Sequence, residues 1–201
     1  MIGTLGPCLP IDLLAASGRL RGLLPWQLHR DTSRADGWLE SRFPRWARSI
    51  LEDWAEGRFD DLALVVFSRA DDVVQRLYSY ICELQRLSFG VAKIPRATGE
   101  AHTGASVRRL AGELGLEDAA LSSGIAAINS ERARRAPATT QQGCLLAGTP
   151  PPHDLLHEAT RGAGFVPLGP TLDEEWRDPG PPVATDADPA TAIGRQVHAR
   201  G

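Results

Sequence analysis

Two continuous apolar runs separated by one helical pattern form the most informative segment of the chain. The run LALVVF at 62–67 has strand length and no polar alternation, which is typical of a strand covered on both faces of a parallel sheet. Helical spacing follows over 73–87, and a second short apolar stretch, GVAKIP, occupies 90–95. The pattern predicts a strand, a helix and a parallel strand, a βαβ unit.

Apolar residues at spacings of three and four predict further helices. The run PIDLLAA at 10–16 begins with proline and is followed by Gly18, so it predicts a short helix. The pattern over 38–56 predicts an amphipathic helix that is interrupted or restarted near Pro44. After a loop expected at 96–105, two more helices are predicted within 106–135.

A second α/β unit is predicted toward the end of the chain. GCLLAG at 143–148 and FVPLG at 165–169 have strand character, and a helix with three prolines before it lies between them. The polar segment 136–142 marks the predicted boundary. We therefore predict an N-terminal α/β domain with a helical extension over 1–136. A truncated second α/β unit is predicted over 137–201, with a flexible, Pro- and Asp-rich tail that has only a weak helix near its end.

Composition narrows the functional classes. The 201 residues include 25 acidic and 22 basic side chains, for a net charge of −3, which does not suit a dedicated nucleic-acid binder. Lys93 is the single lysine, so nearly all cations are arginines. Arginine suits bidentate pairing with phosphate, although a genome with an arginine-rich codon bias explains the same count.

The cysteines and the hydropathy suggest a reducing compartment. Cys8, Cys82 and Cys144 lie far apart without a CxxC spacing, which is not a disulfide framework. Apolar runs are too short for a membrane helix, and the first residues lack a signal-peptide pattern. We expect a cytoplasmic protein that contacts neither membrane nor nucleic acid.

Several polar residues are candidates for chemistry. His153 and His157 are one helical turn apart, but no third ligand is evident, so we predict two surface histidines and no metal site. Ser68, Arg69 and Asp71 follow the strand at 62–67, where open α/β sheets bind ligands. Asp71 or Asp72 is also expected to cap the next helix. Cys8 precedes a helix, where a thiolate can be stabilised, but without a base partner it suits a packing role.

Four stretches in order carry a family resemblance. They are GTLGPCLPIDLLAASG, ARSILEDWAEGRFDDLALVVFSRADD, ALSSGIAAINSERARR and GCLLAGTPPPHDLLHEATRGAG, and together they cover most of residues 2–177. The chain resembles the D-component family of 2-hydroxyacyl-CoA dehydratases, which includes benzoyl-CoA reductase-like subunits. The resemblance implies two stacked α/β domains and a lyase that dehydrates acyl-CoA thioesters through an iron-sulfur cluster.

The ligand positions that the resemblance implies are not cysteine in this chain. By alignment they fall at Phe43, Ala70 and Asp173. Since iron in such clusters is held by thiolates, we expect no four-iron four-sulfur cluster and predict no cofactor. The connector at 136–142 is also shorter than in the family, and an uncovered apolar face is expected. A partner chain would cover that face, unless the gene product is truncated.

Three functional hypotheses follow from the resemblance. The first is a cluster-free 2-hydroxyacyl-CoA dehydratase-like subunit, paired with a second subunit of the family, with enzymatic activity left open. Its substrate pocket would be lined by Cys8, Asp12, Ser68, Arg69 and Asp71. The second is a non-catalytic acyl-CoA-binding or assembly protein with the same fold. The third is an enzyme with new chemistry that uses Asp71 or Cys8.

Overall fold

The structure, a computed structural model, describes residues 1–84, 90–93, 100–135, 143–146, 150–185 and 188–200. The elements follow one another as β1 (Ile2–Leu5), α1 (Ile11–Ala16), β2 (Leu20–Leu23), α2 (Ser33–Trp38), α3 (Arg45–Ala55), β3 (Leu64–Phe67), α4 (Asp72–Leu84), β4 (Gly90–Lys93), α5 (Glu100–Glu113), α6 (Asp118–Arg134), β5 (Cys144–Leu145), α7 (Leu155–Gly162), β6 (Pro167–Leu168), α8 (Leu172–Arg177) and α9 (Pro189–Arg200).

A four-stranded parallel sheet forms the centre of the molecule. Its strand order is β2-β1-β3-β4. Ile2 pairs with Leu64 and Leu5 with Phe67 in the register of the two inner strands. The chain runs from β1 to β2 on one side and returns past β1 to β3 on the other, so the strand order reverses between β1 and β3. Ligands in doubly wound folds bind at the carboxyl ends of strands at such a reversal.

Helices cover both faces of this sheet, which explains the absence of polar alternation in β3. Leu5, Val65 and Phe67 belong to the apolar cluster that includes residues of α2, α3, α4 and α8. Ile2 and Val66 belong to a second cluster with α1, α5, α6 and α9. The domain is thus a three-layer α/β/α sandwich, as predicted for a parallel sheet flanked by helices.

Close helix crossings tie the second helical layer together. A Cβ on Gly194 of α9 would lie 2.6 Å from Cα of Gly104 in α5, so only glycine allows these two backbones to approach. A Cβ on Gly124 of α6 would collide with the backbone oxygen of Asp12 in α1. The C-terminal helix α9 is therefore part of the first domain's packing.

The second α/β unit is small. Strands β5 and β6 pair in parallel, Cys144 with Pro167 and Leu145 with Leu168, beside helix α7. Five of the seven large apolar side chains that are exposed in the described residues belong to this unit: Leu145, Leu155, Leu156, Phe165 and Val166. These exposed side chains lie in the unit in which the sequence predicts an uncovered apolar face.

The sequence-based elements are largely confirmed. The parallel sheet flanked by helices and the incomplete second α/β unit are as predicted, and α3 begins immediately after Pro44. Strands β1 and β2 and helices α2 and α8 were not predicted. Residues 100–105 were expected in a loop but begin α5, so that prediction was wrong. The tail expected to be flexible carries α9, whose buried face packs against α5 and α6.

Several predictions fall wholly or partly on residues outside the described ranges. The proposed domain boundary at 136–142 lies wholly outside them. The ends of the helix predicted over 73–87 and of the strands predicted over 90–95 and 143–148 also lie outside, as does the start of the loop predicted at 96–105. Among the described residues, the structure contains no helix with the length and apolar character needed to cross a membrane.

Candidate functional site

The loops after β1 and β3 meet at the carboxyl edge of the sheet. The backbone N–H of Ser68 donates to the carbonyl of Leu5 at 2.8 Å, which extends the ladder between the two strands by one residue. A Cβ on Gly6 would lie 2.7 Å from the Cβ of Ser68. The loop that carries Cys8 and the loop that carries Ser68, Arg69 and Asp71 are therefore neighbours at the strand-order reversal.

Cys8 adopts an unusual backbone conformation in this edge. Its φ of 56° is the only positive value for a residue other than glycine in the described chain. Its Sγ donates to the backbone oxygen of Arg200, at the end of α9, at 3.0 Å. Burial raises the pKa of the thiol, the Arg200 charge lowers it and the Glu175 charge raises it. The net direction is upward, so Cys8 is a protonated thiol, in agreement with a packing role and unlike a thiolate nucleophile.

The β3 loop is held by its own hydrogen bonds. Ser68 is 3% exposed and its Oγ accepts from the backbone N–H of Ala70 at 3.0 Å. Asp71 Oδ1 accepts from the backbone N–H of Val74 at 2.8 Å, so Asp71 caps α4 as the sequence predicts. Arg69 donates through Nε to Gln75 Oε1 at 3.1 Å. Within the described ranges, no residue donates a hydrogen bond to Asp71 Oδ2.

Asp12 is placed differently from the other predicted pocket residues. It is fully buried, and its two carboxylate oxygens accept from Nη1 and Nη2 of Arg132 at 2.6 and 2.8 Å. Arg132 also donates to the backbone oxygens of Pro179 and Gly180. Asp12 therefore joins α1 to α6 and the chain after α8, and its hydrogen-bonding capacity is directed away from the β1–β3 edge.

Glu175 and Arg200 belong to this edge, although sequence reasoning did not select them. The pKa of the Glu175 carboxyl is raised by burial first and by the Asp71 charge second, against a lowering by Arg200. The Asp71 and Glu175 carboxyls are therefore close enough to repel each other. The local sequence around Glu175 does not indicate a site residue. Its helix α8 is brought to this edge by tertiary packing, in which Trp176 joins the core.

A cleft lies at the start of α3. It has a volume of about 490 Å³, and its walls include Asp36, Phe43, Arg45 and Arg48. A smaller depression of about 210 Å³ shares Phe43 as a wall residue and is lined by Arg42 and Arg76 among others. Sequence reasoning noted the arginine excess but not this clustering.

The three positions at which the family resemblance implies cluster ligands offer no thiolate. Phe43 is buried, and its ring meets Tyr80 edge-on with centroids 5.7 Å apart. Ala70 has no ligating atom in its side chain, and Asp173 forms an exposed ion pair with Arg177 at 2.7 Å. Cys82 and Cys144 are exposed on α4 and β5, far along the chain from these positions. The residues present do not fit a four-iron four-sulfur cluster.

The two histidines of the second unit also differ from expectation. His153 is exposed, but His157 is buried and its Nε2 lies 2.8 Å from the backbone oxygen of Gly169. The prediction of two surface histidines was wrong for His157, because the ring fills the space between α7 and the end of β6. Across the described ranges, no group of three His, Cys, Asp or Glu side chains is arranged to hold a metal ion.

Comparison with known proteins adds no relative to this picture: no family model matches the chain, and no curated protein matches it significantly.

Proposed function

We propose that this chain is a cluster-free relative of the 2-hydroxyacyl-CoA dehydratase subunits that binds an acyl-CoA thioester at the carboxyl edge of its sheet. The observation that carries this proposal is the reversal of strand order between β1 and β3. That reversal is the ligand-binding position of doubly wound folds, and four of the five residues that the resemblance assigns to the pocket lie in its two loops.

The chemistry of the edge supports binding of a thioester with a polar acyl group. Asp71 Oδ2 is positioned to accept a hydrogen bond from a ligand hydroxyl, because only Oδ1 is used in capping α4. Burial and the Asp71 charge raise the pKa of the neighbouring Glu175, so it keeps its proton to a higher pH than an ordinary glutamate.

The radical dehydration of the family is not part of this proposal. That reaction needs an iron-sulfur cluster, and the donor set at Phe43, Ala70 and Asp173 does not suit one. Anaerobic reconstitution with iron and sulfide tests this point through the visible sulfur-to-iron absorbance. We expect no stoichiometric cluster, and one cluster per chain would contradict the cluster-free assignment.

Titration calorimetry with a 2-hydroxyacyl-CoA thioester tests the binding proposal. Asp71→Asn keeps the helix cap, because asparagine caps as well as aspartate, but it removes the charged acceptor at Oδ2. We expect this variant to bind about 10-fold more weakly. Asp61→Asn is the matched control, since Asp61 is exposed and precedes β3 at the opposite edge. Equal binding by wild type and Asp71→Asn would remove Asp71 from the site, and no binding by wild type would refute the proposal.

A second candidate function, assembly with another subunit, is supported by the exposed apolar face of the second α/β unit. Monomers rarely leave several large apolar side chains exposed together unless they form an interface. Co-expression with a cysteine-bearing subunit of the family, followed by size-exclusion chromatography, tests it. We expect a complex that the Leu155→Gln/Phe165→Ser variant does not form, and separate elution of the wild-type chains would count against it.

A further inference from the structure

The cleft at the start of α3 and the depression beside α4 share Phe43 as a wall residue, and their volumes are about 490 and 210 Å³. Together their walls contain four arginines and two aspartates, Asp36 and Asp72. We call these two parts the arginine groove and define it by Arg42, Arg45, Arg48 and Arg76. The larger part alone is within the usual size range of small-molecule sites, about 300–1,000 Å³.

Two of the four arginines are already engaged by the protein. Arg48 pairs with Asp36 and also donates to the backbone oxygens of Glu40 and Phe43, so it fixes the loop between α2 and α3. Arg42 pairs with Glu40 at 2.7 Å. These two guanidinium groups shape the walls of the groove.

The other two arginines have no carboxylate partner within the described part of the chain. Arg45 stands at the first position of α3, and Arg76 lies one turn into α4. Both side chains are exposed, and Arg45 lines the larger part of the groove while Arg76 lines the smaller. Neither takes part in an ion pair among the described residues, whereas Arg30 pairs with Asp53 and Arg48 with Asp36. Each guanidinium therefore has its donors available to a ligand.

The start of α3 adds backbone donors to the same place. Pro44 is the N-cap, no side chain caps the first turn, and that turn contains no acidic residue. The free N–H groups and the positive end of the helix dipole therefore favour an anion next to Arg45. Asp36 also lines the larger part, but Arg48 pairs with it. Asp72 lines the smaller part and has no ion pair among the described residues. A ligand anion is thus better placed at Arg45 than at Arg76.

We propose that the arginine groove binds the phosphate groups of a phosphorylated small ligand. Guanidinium groups recognise phosphate oxygens bidentately, and two of them in the same groove suit a ligand with more than one phosphate. The identification of this ligand as the acyl-CoA thioester rests on the proposed function. The phosphates of the thioester lie in the groove and its acyl end lies toward Asp71, one residue before Asp72.

Three probes separate this inference from the proposed function: a 2-hydroxyacyl-CoA thioester, the corresponding pantetheine thioester, which has no phosphate, and inorganic pyrophosphate. The variants are Arg45→Gln and Arg76→Gln. Arg19→Gln is the matched control, because Arg19 is exposed, has no ion pair among the described residues and precedes β2 at the opposite edge of the sheet. Circular dichroism confirms that each variant is folded.

We expect Arg45→Gln to bind the CoA thioester about 10-fold more weakly than the wild-type chain does, and Arg76→Gln to show a smaller loss of affinity. Arg19→Gln should bind it with unchanged affinity. The pantetheine thioester should bind more weakly than the CoA thioester and should not respond to either groove variant. If both thioesters bind equally and no variant matters, the groove inference is overturned while the proposed function stands. If no thioester binds but pyrophosphate binding is lost in Arg45→Gln, the groove stands and the proposed function fails. If neither thioester nor pyrophosphate binds, both are overturned.

Discussion

The buried ion pair between Asp12 and Arg132 gives the sharpest test of the structural reasoning. The two side chains are 1% and 3% exposed, and they join α1 to α6 through two hydrogen bonds. Replacing Arg132 with methionine leaves the Asp12 carboxylate buried without a counter-ion. It also removes the donors to the backbone oxygens of Pro179 and Gly180, which have no substitute in methionine.

The magnitude follows from this burial. Removing one partner of a buried pair costs about 3–5 kcal/mol, because the remaining charge keeps its full desolvation penalty. In a domain of this size each kcal/mol corresponds to about 2–4 °C in Tm, so the expected loss is roughly 6–20 °C. The double variant Asp12→Leu/Arg132→Met removes both charges, and we expect it to recover a large part of the loss.

Urea unfolding followed by tryptophan fluorescence measures these differences, since Trp46 and Trp176 are buried in the core. Arg21→Met is the control. It breaks an ion pair with Asp61 whose side chains are 43% and 59% exposed, so the expected cost is about 0–1 kcal/mol. The reasoning is refuted if Arg132→Met costs no more than this control, or if the double variant is no more stable than Arg132→Met alone.

Three further predictions rest on other contacts. Gly194→Ala should destabilise the chain by about 1–3 kcal/mol, because the new Cβ meets the α5 backbone, whereas Gly112→Ala, with open space around its Cβ, should stabilise it by about 0.5–1 kcal/mol in the same urea assay. In timed alkylation read by mass spectrometry, Cys8 should react more slowly than the exposed Cys82, because burial raises the Cys8 pKa; equal rates would contradict its packing role. Glu175→Gln should raise stability at pH 7, since a carboxyl with a raised pKa opposes folding when ionised. The advantage should disappear below the ordinary pKa of 4.5, where the wild-type carboxyl is protonated in both states, and an advantage that persists there would argue against ionisation as the cause.

The candidate site was partly predictable, and its limits have a physical cause. Ser68, Arg69 and Asp71 could be selected because they directly follow a strand with a clear apolar run, and the loop position follows from local pattern. The ion pair of Asp12 could not be predicted, because its partner Arg132 lies 120 residues away. Glu175 was missed for the same reason, since only packing brings α8 to this edge.

The sequence by itself determined the local elements with strong patterns and the class of the fold. The apolar run of β3, the helical spacing around it and the stop at Gly18 depend on neighbours in the chain, so they can be read without the tertiary structure. Strands β1 and β2 were missed because each has a glycine inside its four residues, Gly3 and Gly22, and therefore lacks the continuous apolar run of β3. Only the tertiary structure decided the strand order, the return of α9 to the first domain and the gathering of arginines around Phe43. These features depend on contacts between residues that are far apart in sequence. The free energies of such contacts cannot be inferred from the pattern of neighbouring residues.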